Sequence, residues 1–237
     1  MKILALETSA RACSAAVTQD GQVLAACCQN SGLTHSRTLM PMVESMLKNA
    51  DLTLDGMDAV AVAAGPGSFT GIRIGVAAAK GLAFAAGLPC AAVSTLEAMA
   101  LGLSHLEGHL IVCAMDARRS QIYNALFEVR DGALVRLCPD RAAALADLAE
   151  ELRGDPRPKI AVGDGGALCQ AALTELGVPC ALAPARLLHQ NAIGVALAAE
   201  AMAAAGQLVT AQELLPVYLR PAQAERLRDR QKKESGT

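Results

Sequence analysis

The chain reads as an α/β protein of two lobes, each a mixed sheet flanked by helices. Three features predict this class. Short apolar runs alternate with longer Ala-rich or amphipathic segments, as strands alternating with helices would. The order strand, strand, strand, helix, strand, helix fills residues 1–105 and returns loosely from residue 106. A length of 237 residues, 53% of them hydrophobic, suffices for two cores. Aromatic residues make up only 2% and Trp is absent from the composition, so Ala, Leu and Val must fill those cores.

Residues 2–8 are the first apolar run. Residues 12–18 and 22–28 follow, joined by the hairpin turn Asp20-Gly21. Residues 34–50 are helical. Their apolar positions Leu39, Met40, Met42, Val43, Met46, Leu47 and Ala50 span roughly 160° at ~100° per residue, wider than the ~100° stripe of one buried face. Either this helix serves two neighbours, its own sheet and a partner, or it is simply well buried. Met40, Met42 and Met46 suit an adaptable contact surface. Pro41 either kinks the first turns or marks a later start. A strand at 57–64, a helix at 70–86, a strand at 88–93 and a helix at 95–103 complete the first lobe. The second lobe, 106–222, reads as strands 109–115, 121–128 and 133–137, a helix 141–152, a strand 159–163 and a helix 167–176. A last Ala-rich helix, 190–205, is expected to pack back on the first lobe. Residues 223–237 form a charged tail, expected to stay solvated and disordered.

The strand at 57–64 runs into Gly65-Pro66-Gly67-Ser68-Phe69-Thr70-Gly71-Ile72-Arg73-Ile74-Gly75. Glycine and proline there make a tight strand-to-helix turn, and Ser68 or Thr70 can cap the helix. A phosphate cradle at the helix N-terminus is the sharper alternative. The Gly-Lys-Ser/Thr of a Walker A loop does not follow, and the glycine spacing is not that of a dinucleotide fingerprint. Within the helix, Gly71, Gly75, Ala79 and Ala83 share one face, which lets a neighbour approach closely. Arg73 and Lys80 interrupt the apolar run and argue against a membrane span.

Composition narrows the function classes. Net charge is −2 and the sequence pI about 6.1, so no basic field draws nucleic acid to this chain alone. The N-terminus shows no apolar core with a cleavage site, so no signal peptide is expected. The 8 cysteines form no Cys-x-x-Cys pair. They read as small hydrophobes of a reducing cytoplasm, not as a disulfide framework or zinc site.

The order of elements in residues 1–105 is that of the ASKHA fold shared by actin, Hsp70 and sugar kinases, which implies architecture and not activity. The stretch Gly65–Gly75 resembles the signature of the TsaB (YeaZ) family. Leu6-Glu7-Thr8-Ser9, Thr34-His35-Ser36 with Leu39 and Pro41, Asp116-Ala117-Arg118 and Pro216-Val217-Tyr218-Leu219-Arg220 match it in family order. This resemblance implies a non-catalytic scaffold that binds and activates the transferase TsaD. That enzyme carries threonylcarbamoyl from threonylcarbamoyl-AMP to the adenosine beside the anticodon of ANN-decoding tRNAs. It also implies the ATPase TsaE in the larger assembly, tRNA contact only through the complex, a homodimer in isolation, and a cytoplasmic location without membrane contact. Rival classes are an ATP-dependent enzyme using Asp116 and a metal enzyme using His105 and His109.

Candidate residues follow. The contact face is placed on helices 35–49 and 70–86: His35, Leu39, Met42, Val43 and Met46, then Gly71, Arg73, Gly75, Val76, Ala79, Lys80 and Ala83. Arg substitution at Val43 or Val76 is expected to abolish partner binding and leave the lobe folded. An ASKHA nucleotide site needs glycine turns against the phosphates, yet the turns at Ser9–Ser14 and Asp116–Ser120 have none. Only Gly163, Asp164, Gly165 and Gly166 resemble an adenosine-side loop. With Ser9 and Asp116 they define a degenerate cleft, with weak ATP or ADP binding at most and no cofactor required. His105-Leu106-Glu107-Gly108-His109 mimics a metal motif of TsaD. By resemblance, however, the metal-histidine positions of that enzyme fall on Thr95 and Met99, poor ligands for such a cation. No catalytic residue and no metal ligand is assigned.

Overall fold

A computed structural model describes residues 1–118 and 120–220. The expectation for the tail at 223–237 lies outside the described residues. The first lobe contains β1 (Lys2–Glu7), β2 (Cys13–Gln19), β3 (Gln22–Gln29), α1 (His35–Asn49), β4 (Ala59–Gly65), α2 (Phe69–Ala86), β5 (Cys90–Ser94) and α3 (Thr95–Leu101). The second contains β6 (Leu110–Asp116), β7 (Gln121–Arg130), β8 (Ala133–Arg136), β9 (Arg141–Ala144), α4 (Leu145–Leu152), β10 (Lys159–Val162), α5 (Gly166–Glu175), β11 (Ala181–Leu182), α6 (Ala185–Leu188) and α7 (Ala192–Ala204).

The two sheets repeat one topology. The first runs β3-β2-β1-β4-β5, with an antiparallel meander on one side of β1 and parallel strands on the other. The second runs β8-β7-β6-β10-β11 in the same sense, with β9 added to β7. This doubled arrangement is the ASKHA architecture.

Alternation along β1 sets up two cores. Leu4 and Leu6 point to the face covered by α1 and α2, packing with Leu39, Val43, Ile72 and Val76. Ile3 and Ala5 point to the other face, covered by Val195, Ala196 and Ala199 of α7. The last helix thus packs on the first sheet. A Cβ at Gly194 would lie 2.0 Å from the Ala98 carbonyl oxygen, so α7 crosses α3 backbone to backbone.

Several boundaries differ from the sequence reading. Residues 141–144, expected to be helical, form β9. Ala142 and Ala143 pair with β7, and Arg141 donates to Asn124 Oδ1 at 3.1 Å, so tertiary pairing overrides the helix preference of alanine. β4 starts at Ala59 because a 3₁₀ turn at Leu54–Gly56 precedes it. Pro41 lies inside α1. Cys28 is exposed, unlike Cys13, Cys90, Cys113 and Cys169, which are buried free thiols.

Candidate functional site

The glycine turn is built to fit the chain's own backbone. A Cβ at Gly67 would sit 2.5 Å from Ser9 O, at Gly71 2.1 Å from Thr8 O, and at Gly75 2.3 Å from Thr8 Oγ1. Gly65, at φ +137°, would meet Val217 O at 2.2 Å. Hydrogen bonds lock the joint. Thr8 Oγ1 donates to Gly71 O at 2.7 Å, and Ser68 N donates to Ser9 O at 2.7 Å. Ser68 Oγ caps α2 by accepting from Gly71 N. Glu7-Thr8-Ser9 and the glycine stretch, separate motifs in the sequence, are therefore two halves of one joint.

The C-terminal segment closes over it. Val217 N donates to Ala64 O at 2.7 Å. Tyr218 packs on Phe69 with ring centroids 5.0 Å apart, and its hydroxyl accepts from Arg73 Nε at 2.8 Å. Arg220 donates to Ala117 O of the second lobe at 3.2 Å. Lys80 donates to the Gln212 and Leu214 carbonyls of this strap. Nothing in the local sequence around Lys80 signals that long-range role.

A cleft of about 580 Å³ lies where the lobes meet. Ser9, Asp116 and Asp164, three of the sequence candidates, line it together with Arg11, Ser68 and Tyr218. The glycines beside them do not form a cradle. A Cβ at Gly163 would fall 2.1 Å from Ala114 O, at Gly165 2.7 Å from Asp116 N, and at Gly166 3.2 Å from Leu188 Cδ1. Gly163, Gly165 and Gly166 are not among the residues lining the cleft; their missing side chains let the β10–α5 turn pack against β6 and α6.

Behind the cleft lies a buried carboxyl. Glu7 has no exposed surface, and burial pushes it up to about 7. Ser9 opposes the rise, its backbone N–H donating to Glu7 Oε1 at 2.5 Å, while Asp164 adds to it. Desolvation by the surrounding cleft walls also raises Asp164, which as a residue remains exposed, against the pull of a 2.9 Å bond from Gln190 Nε2. Glu7 Oε2, Ser9 Oγ and Gln190 Oε1 find no hydrogen-bond partner among the described residues.

The histidine motif is not helical. His105 is exposed in a turn, and Glu107 accepts from the backbone N–H groups of Asp131 and Gly132, capping the β7–β8 turn. His109 Nδ1 lies 3.1 Å from Glu107 O. Thr95 and Met99 are core residues at 0% and 3% exposure.

The contact-face residues divide sharply. Leu39, Val43 and Met46 of α1, and Gly71, Gly75, Val76, Ala79 and Ala83 of α2, are buried in the first lobe's own core. Their placement on an outward face is corrected: the small-residue ladder faces Thr8 and Val62, which need the space. Arg substitution at Val43 or Val76 would therefore place a charge in the core instead of sparing the fold. His35 is half-buried, its Nε2 2.7 Å from Ala10 O, and Met42 is half-buried. Of the twelve, only Arg73 is exposed.

The outer side of α2 instead presents Ala77, Gly81, Phe84 and Ala85. Phe84 is 73% exposed. Among the described residues, nothing lies within 4 Å of a Cβ built at Gly81. On α1, Arg37, Met40, Glu44 and Lys48 face outward, with Met40 42% exposed. By length and composition α2 would suffice to cross a membrane. Here it lies along β4 on the first sheet, with an N-cap at Ser68 and a left-handed C-cap at Gly87.

A family model described as TsaD: tRNA N6-adenosine threonylcarbamoyltransferase matches residues 29–216. The tRNA threonylcarbamoyladenosine biosynthesis protein TsaB of Bacillus subtilis (strain 168) is 34% identical over 95% of this chain and 96% of its own length. TsaB of Escherichia coli (strain K12) is 40% identical over 54% of this chain and 55% of its own length. A Pseudomonas aeruginosa crystal structure, described as similar to peptidase YeaZ, superposes with a TM-score of 0.80 at 30% identity. It covers 92% of this chain and 99% of that one. With a near full-length TsaB relative and a YeaZ-like structure sharing both lobes, the chain belongs to the TsaB (YeaZ) family.

Proposed function

We propose that the chain serves tRNA threonylcarbamoyladenosine biosynthesis as the non-catalytic partner of a TsaD transferase, docking through the outer faces of α1 and α2. The shared name of its relatives supports the pathway. The observation that carries the docking face is Gly81. Glycine inside a helix costs about 1 kcal/mol relative to alanine. Gly67, Gly71 and Gly75 each have a neighbour that forbids a Cβ, whereas Gly81 has none among the described residues. A helix from a partner approaching Ala77, Gly81 and Ala85 would use that space, with Phe84 and Met40 at its margins. The same face would pair two copies in isolation.

Core packing at Thr95 and Met99, and backbone filling the space beside Gly67, favour an accessory role over catalysis. The cleft would hold ATP or ADP weakly at most, and TsaE would join the assembly in the cytoplasm, where tRNA is modified. The test is a reconstituted transfer of threonylcarbamoyl to an ANN-decoding tRNA, with TsaD present throughout and this chain added or omitted. Modification that needs both proteins is the expected result. Modification by the chain alone, or without it, would overturn the reading.

A further inference from the structure

Among the described arginines, some pair with carboxylates and others, including Arg37 and Arg186 away from the cleft, form no ion pair. In the second lobe Arg130, Arg136, Arg141, Arg153 and Arg157 each pair with a carboxylate. At the cleft, Arg11, Arg118 and Arg220 line the wall, and Arg73 is bonded to the lining residue Tyr218. None of these four forms an ion pair among the described residues. Neutral groups orient two of them. Arg73 lies 3.9 Å from the Phe69 ring centroid and donates to the Tyr218 hydroxyl; Arg220 donates to Ala117 O and lies 6.0 Å from the Tyr123 ring centroid. Such contacts fix a guanidinium and leave its charge available.

Asp116 and Asp164 line the same cleft beside these arginines, and Asp116 Oδ1 accepts from Arg118 N at 2.7 Å, so a phosphate close to them would also meet carboxylates. The cations come from the β1–β2 turn, α2, the β6–β7 turn and the strap. That spread suits an extended chain of phosphates better than one compact group. Phe69 and Tyr218, the latter 40% exposed, add an aromatic surface of the kind on which unpaired bases stack. We infer that the mouth of the interlobe cleft binds the sugar-phosphate backbone of an RNA strand through Arg11, Arg73, Arg118 and Arg220, as this chain's own contact to RNA held by the complex. The choice of RNA among polyanions rests on the pathway proposed above.

The test uses the full chain assembled with TsaD, and an unmodified ANN-decoding tRNA as probe. Arg11 and Arg118 are exposed, so the double variant Arg11→Gln/Arg118→Gln leaves the core intact. Its tRNA dissociation constant should rise by about tenfold, and the slope of log K against log salt should fall by about two. Assembly with TsaD should be unchanged, and Arg11→Lys/Arg118→Lys should restore the slope. Unchanged tRNA affinity and slope would overturn the inference. Loss of assembly would overturn it in favour of an acidic protein surface, and loss of ATP binding alone in favour of a nucleotide. If transfer proceeds without this chain but the double variant still weakens tRNA binding, the pathway reading falls and the RNA site stands.

Discussion

The two faces of α2 use small residues for different ends. On the inner face, Gly71, Gly75, Ala79 and Ala83 recur every fourth position and are buried. Two of them are dictated by Thr8, whose backbone oxygen and hydroxyl occupy the places of their side chains. On the outer face, Ala77, Gly81 and Ala85 recur with the same period and are exposed. Nothing among the described residues requires glycine at 81. A period of four therefore marks close approach without saying to what. Only burial tells whether the neighbour is the protein's own sheet or something outside it.

Substitutions on the two faces should separate them. Val76→Arg buries a charge at a site only 5% exposed and should cost about 4 kcal/mol or more, leaving no cooperative melt near the native midpoint. A native-like melt would place Val76 outside the core. Beside the inner face, Glu7 gives a pH signature. Its carboxyl rises from 4.5 to about 7 on folding, so the folded state holds the proton more tightly. The matching stability, about 3 kcal/mol by linkage, is fully present below about pH 4.5 and is gone above about pH 7. Glu7→Gln should flatten denaturant midpoints across that window; an equal slope in both proteins would contradict the burial. Gly75→Ala, which drives a methyl into Thr8 Oγ1, should cost about 1–3 kcal/mol in urea unfolding. Gly81→Ala should do the reverse by about 0.5–1 kcal/mol, since a methyl there meets open space. A destabilised Gly81→Ala would mean that the outer face is spoken for within the chain.

Much of the fold was legible because it is local. The alternation of Ile3, Leu4, Ala5 and Leu6, the turn Asp20-Gly21 and the cap at Ser68 all act over a few residues. Contacts between distant segments were not legible. Residues 141–144 look helical until β7 offers them a ladder. Thr8 meets Gly71, 63 residues away, and Lys80 meets Gln212, 132 away. The sequence pointed to the helices α1 and α2, but not to which of their residues face outward. Apolar side chains at Leu39 and Val43 look the same in sequence whether a sheet or a partner covers them. Ser9, Asp116 and Asp164, picked out from the turns that would face a nucleotide in this fold, line one cleft because each follows or ends a strand where the two lobes converge.

The central claim is that a partner occupies the space left open at Gly81. The direct measurement is the affinity of Gly81→Leu for TsaD, taken with its melting temperature. A leucine there points away from the chain's own core and is well tolerated in a helix. The predicted result is native melting with binding weakened by at least about a hundredfold, a loss typical of hot-spot residues. Native melting with undiminished affinity would contradict it and move the docking face off α2.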